Sequence, residues 1–212
     1  MIIILKKSAT KADADLLLGI IAEQGLEPLP EGTVRDFIGR GITHLVERSL
    51  VAAGLPLPCE RLEPALQGFG KHYARLNGRA SRPFPGVLEA LERLRAAPFK
   101  LACVTNKDSA FTMPLLEKSG LARFFDAVST SDRARSRKPE PGLILHACRA
   151  LQTDPREAVV IGDSANDAGA ARAAGCRVLL VSYGYSEGRD VRSLESDGVV
   201  ATLGEAAGLL LD

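Results

Sequence analysis

A chain of 212 residues with 46% apolar side chains can bury a substantial core, which excludes global disorder. Its 27 Lys and Arg nearly balance 26 Asp and Glu, and a net charge of +1 argues against bulk attraction to nucleic acid. One local pocket can still hold a small anion.

Met1–Leu5 is apolar but too short for a membrane span, and a secretory signal would place Lys6 and Lys7 ahead of it. The same run, MIIIL, is expected to supply a short central strand. Ala12–Gln24, Glu31–Ile38, Thr43–Ala53 and Arg61–Asn77 carry helical patterns, punctuated by Pro28, Pro30, Pro56 and Pro58. They predict a helical insertion over residues 12–80. Ser81–Gly86 reads as the return linker and Val87–Ala96 as the first helix beyond it.

From there strands and helices alternate. Lys100–Thr105, Phe125–Ser129, Ala158–Ile161, Arg177–Ser182 and Gly198–Ala201 read as strands. Ser109–Ser119, Pro141–Leu151 and Asn166–Ala174 read as helices, with Pro141 at a start and Gly120 and Gly175 at ends. The pattern predicts an α/β fold: a doubly wound parallel sheet, built from residues 1–11 and 81–212, with the helical domain 12–80 inserted. Cys59, Cys103, Cys148 and Cys176 are spaced too widely for a metal knuckle or redox pair. Free thiols in a reducing cytoplasm are expected. His44, His72 and His146 are scattered and do not suggest a metal site.

Three segments carry candidate chemistry. In Val159–Gly175 an apolar strand runs into Gly162, Asp163 and Ser164, with Asp167 one helical turn on. Two carboxylates at the carboxyl end of a parallel strand suit Mg²⁺, although Asp163 and Ser164 could equally cap the helix. In Leu101–Lys107, Thr105 and Asn106 follow a strand and could cradle phosphate oxygens, or form an ordinary loop. In Arg137–Pro141, Lys138 is held before a proline and could neutralise phosphate charge, or simply be solvated.

The order Thr105, Lys138-Pro139, Gly162-Asp163-Ser164-x-x-Asp167 resembles the second, third and fourth motifs of the haloacid dehalogenase superfamily. Phe84–Ala96, Gly120–Asp126, Val181–Gly188 and Phe37–Leu50 resemble its phosphoglycolate phosphatase branch. The resemblance runs from about Asp15 to the C-terminus. It implies that Thr105 and the Asn106 backbone hold phosphoryl oxygens and that Lys138 pairs with phosphate and nucleophile. It also implies that Asp163 binds Mg²⁺ with support from Asp167. The inserted helices would form a cap, with Arg40 a candidate partner for a substrate carboxylate. The implied partner is a small phosphorylated substrate, most directly 2-phosphoglycolate; no nucleic acid or membrane is implied, and the expected state is a monomer or homodimer.

The family's first motif is a strand ending in Asp-x-Asp, whose first Asp attacks phosphorus and whose second acts as acid and base. Aligned backwards from Asp15, those positions fall on Ile4 and Lys6. Residues 2–8 contain no acid, so strand one is expected to offer no carboxylate and Lys138 to lack its carboxylate partner. Asp13 and Asp15 form a D-x-D pair, but no buried strand precedes them and Asp13 reads better as a helix start. An altered N-terminal segment, a substitute carboxylate, or a non-catalytic phosphate-binding or interaction protein on the same scaffold all accommodate this pattern. A nucleotide-binding regulator fits less well, because no glycine-rich phosphate loop is present.

Overall fold

The computed structural model describes residues 2–3, 19, 22, 25, 27, 29–37, 41–79, 81–183 and 190–212. The chain divides into two compact units, Met1–Ser8 with Arg82–Asp212, and Ala9–Ser81.

The larger unit holds a six-stranded sheet of β1 (Ile2–Ile3), β2 (Ala102–Thr105), β3 (Ala127–Thr130), β4 (Val159–Gly162), β5 (Arg177–Val181) and β6 (Gly198–Val200). Their order is β3-β2-β1-β4-β5-β6 and every pairing is parallel. The shortest strand is central: Ile2 lies opposite Ala102 and Val160, and Ile3 opposite Cys103 and Ile161. A parallel sheet must be covered on both faces, so its strands bury successive residues in opposite directions. Ala102, Val104, Val160, Val178 and Leu180 face one core, and Cys103, Ile161 and Val181 the other.

The larger unit's helices are divided between the two cores. The first core takes Leu143, Ile144 and Ala147 of Gly142–Leu151, and Ala168, Ala170 and Ala171 of Ala165–Ala174. The second takes Leu91 and Leu94 of Val87–Ala96, Leu116 of Ser109–Lys118, and Leu203 and Ala206 of Leu203–Leu211. In Val87–Ala96 the buried residues Val87, Ala90, Leu91 and Leu94 recur at helical spacing and make one apolar stripe. Ala165–Ala174 ends on Gly175, whose φ of 78° is a left-handed conformation that glycine adopts without a side-chain clash.

The described residues of the second unit include helices Glu31–Asp36, Ile42–Ala52 and Leu62–Leu76, and no strand. The latter two pack on each other. Val34, Leu45, Leu50, Ala65 and Phe69 are buried, and Phe69 stacks on Tyr73 at 5.4 Å between ring centroids.

The short central strand, the parallel sheet and its doubly wound helices match the sequence expectation. Boundaries move by one or two residues at most strands: Lys100 and Leu101 precede β2, while Gly162 belongs to β4. Among the described residues, the α-helices Ser131–Ala134 and Leu203–Leu211 were not anticipated. The second carries a start signal in its sequence: Thr202 Oγ1 accepts from the Glu205 N–H at 3.1 Å, while Glu205 Oε2 accepts from the Ala201 N–H. This Thr-x-x-Glu arrangement is close to a capping box.

Candidate active site

Thr105 closes β2 and Asp163 follows β4, so both stand at the carboxyl edge of the sheet on either side of β1. Open α/β sheets place ligands at that edge. Lys138 arrives there from the loop after Ser131–Ala134, and its side chain is only 6% exposed. Its Nζ donates to Asp167 Oδ1 at 2.7 Å and to the Val104 carbonyl at 3.2 Å. Its main chain is held as well: the Lys138 N–H donates to Asn106 Oδ1 at 2.7 Å, and Asn106 Nδ2 donates to the Lys138 carbonyl at 3.1 Å. The Thr105 hydroxyl accepts from the Lys107 N–H at 3.1 Å, and its own proton remains available for donation.

Asp167 lies in the first turn of Ala165–Ala174 and is 1% exposed. Its Oδ2 accepts from the Asp163 N–H at 3.0 Å and from Ser164 Oγ at 2.7 Å. This close approach explains Gly162. A Cβ there would stand 2.3 Å from the Asp167 Cβ, a separation no pair of carbons tolerates. Gly169 similarly leaves room for Pro139, whose Cβ would be 3.1 Å from an added methyl. Small residues therefore let the Lys138 loop and the Asp167 helix meet.

Burial by itself would raise the Asp167 pKa. The Lys138 charge, with the bonds from Lys138, Asp163 and Ser164, instead holds it well below the usual carboxylate range. The carboxylate that pairs with Lys138 is Asp167, from the first helical turn after β4; the expectation about a strand-one carboxylate falls on residues outside those described. At Tyr183, burial raises the phenol pKa and the Asp163 charge pushes it the same way, against a lowering bond from Leu203. Tyr183 thus lies within electrostatic reach of Asp163, and its ring packs on Phe84 at 4.5 Å.

The carboxylates near this edge differ in their fitness for a divalent cation. Asp167 has committed both oxygens to internal donors, whereas Asp163 stands half-buried at the strand end. Among the described residues no group of three or more His, Cys, Asp or Glu is arranged to hold a metal. One carboxylate together with substrate phosphate oxygens and water is nonetheless an arrangement that Mg²⁺ accepts. Asp163 fits that limited role.

Four of the expected residues, Thr105, Asn106, Lys138 and Asp167, are joined directly or through adjoining backbone, with Asp163 bonded to Asp167. Arg40, Ile4, Lys6, Asp13 and Asp15 lie outside the described residues. Sequence reasoning missed Ser164 as a bonding partner of Asp167 and the Asn106 side chain as a grip on Lys138.

The family model for haloacid dehalogenase-like hydrolases matches residues 11–181. The chain belongs to that family. Its relatives include a phosphoglycolate phosphatase of Nitrosospira multiformis, 44% identical over 90% of this chain and 85% of that protein. A phosphoglycolate phosphatase of Thiobacillus denitrificans is 43% identical over 89% of this chain and 83% of its own length. Among solved structures, a predicted phosphoglycolate phosphatase from Haemophilus somnus superposes with a TM-score of 0.86 at 25% identity, covering 99% of this chain and 97% of that one. These relatives place the chain in the phosphoglycolate phosphatase-like branch of the family.

Proposed function

We propose that this protein hydrolyses a small phosphomonoester, with 2-phosphoglycolate the leading substrate, at the carboxyl edge formed by Thr105, Lys138 and Asp163. The observation that carries this reading is the buried Lys138 ammonium, held 2.7 Å from Asp167 and joined through Asn106 to the Thr105 loop. Lys138 has three N–H donors and spends two on Asp167 and Val104. The third would meet a phosphoryl oxygen and offset charge that builds in the transition state. The Thr105 hydroxyl would donate to a second oxygen and the Asn106 N–H would orient the group. Asp163 would hold Mg²⁺, which when bound supplies Lewis-acid stabilisation of the phosphoryl charge. The unit Ala9–Ser81 would act as the cap that selects substrate, with Arg40 meeting a substrate carboxylate. The protein would work in the cytoplasm as a monomer or homodimer; no described helix is long and apolar enough to cross a membrane.

A second reading, binding of phosphate compounds without hydrolysis, rests on one observation: residues 2–12 contain no acid to attack phosphorus. Two assays on the purified chain separate the readings. Phosphate release from a panel of small esters, with 2-phosphoglycolate fastest in the presence of Mg²⁺, is expected of the enzyme. Calorimetric binding of inorganic phosphate without release from any ester would establish the second reading, and absence of both would defeat each.

A further inference from the structure

We propose that the Asn106 side chain is a positioning residue, which grips the Lys138 main chain and thereby fixes where the Lys138 ammonium meets an anion. The proposal deepens the phosphoryl-binding reading and rests on it. Asn106 and Lys138 are 32 residues apart in sequence and both are buried. The carboxamide meets both main-chain polar groups of Lys138, with Oδ1 taking its N–H at 2.7 Å and Nδ2 giving to its carbonyl at 3.1 Å. Only a side chain with one acceptor and one donor at short reach can do both. Aspartate lacks the donor, and glutamine is one methylene too long. The next residue is Pro139, which has no N–H, so the local backbone offers no neighbouring donor to take over.

The grip complements the contacts at the other end of the side chain. Val104 and Asp167 hold Nζ, and Asn106 holds the backbone from which it projects. Asn106 also directly follows Thr105. The segment that places the hydroxyl therefore places the lysine too, and the two anion donors move as one body. Fixing a charged group from a supporting layer is a general way to retain geometry that substrate binding alone would otherwise have to impose.

A double-mutant cycle on the full chain tests this, with inorganic phosphate as the probe in calorimetry. Asn106→Ala should weaken phosphate about tenfold in the parent, the scale of losing one buried hydrogen bond. In a Lys138→Met background the same change should cost less than about twofold, because its effect passes through Lys138. An equal loss in both backgrounds, or no loss in the parent, would overturn the proposal. If Lys138→Met itself leaves phosphate binding intact, or the parent binds none, the phosphoryl-binding reading fails instead.

A second readout requires no anion: acetylation of Lys138 by acetic anhydride, followed by peptide mass spectrometry. Asn106→Ala should raise Lys138 labelling about tenfold, comparable to the expected change in affinity. Asn106→Asp, which keeps the 2.7 Å bond, should fall between the two. Asn106→Asp also serves should the alanine variant not fold. Labelling equal to the parent in whichever variants fold would refute the grip.

Discussion

Asp167 carries its charge at a site from which water is almost entirely excluded, so its partners must replace hydration. Lys138 compensates the charge, while Ser164 and the Asp163 N–H occupy the other oxygen. Asp167→Ala would strand the Lys138 ammonium in the core and should cost about 3–5 kcal/mol in urea denaturation. Its pH dependence has a definite sign. The Asp167 pKa is depressed in the folded protein, so its contribution is complete above the unfolded carboxylate pKa of about 4 and declines as pH falls below it. Unfolding midpoints of the parent should therefore drop through that acid window, and Asp167→Asn should flatten the drop. Midpoints that fall equally in parent and variant would remove Asp167 from the acid response. Thr105, Lys138, Asp163 and Asp167 were legible in the sequence because each sits at a fixed offset from a strand or a proline. The Asn106 grip was not, because it depends on two loops meeting across 32 residues of chain.

The helix Ala165–Ala174 shows how composition serves geometry at the scale of an element. Its alanines at 168, 170 and 171 are buried, which lets it sit close to the sheet. Gly162 extends that economy into β4. This glycine is the last residue of the strand, and its missing side chain is the space Asp167 occupies. Gly162→Ala should therefore destabilise the protein by about 1–3 kcal/mol, the usual cost of overpacking, and weaken phosphate binding as Asp167 shifts. Thermal or urea unfolding of the variant checks the first effect and calorimetry the second; a neutral outcome in both would show that the helix can yield. Element types were readable where apolar runs alternated with helical spacing. Leu203–Leu211 was not, because two glycines and a leucine-rich end blur its amphipathic pattern, and only its Thr202-x-x-Glu205 start distinguished it.

In the whole molecule, the sheet order sets β1 between β2 and β4, and the Thr105 and Asp163 ends of those neighbours flank it. That topology was legible because buried, β-branched strands separated by helices leave few arrangements other than a doubly wound parallel sheet. β1 is formed by Ile2 and Ile3, and residues 2–12 of the sequence contain no acid. The most direct measurement is kcat/KM for 2-phosphoglycolate with Mg²⁺, compared between the parent chain and Lys138→Met. The expected result is measurable phosphate release by the parent and a loss of about 10²–10³-fold in the variant, the magnitude typical of removing one preorganised transition-state donor. No release by the parent, or equal rates in the two proteins, would contradict it.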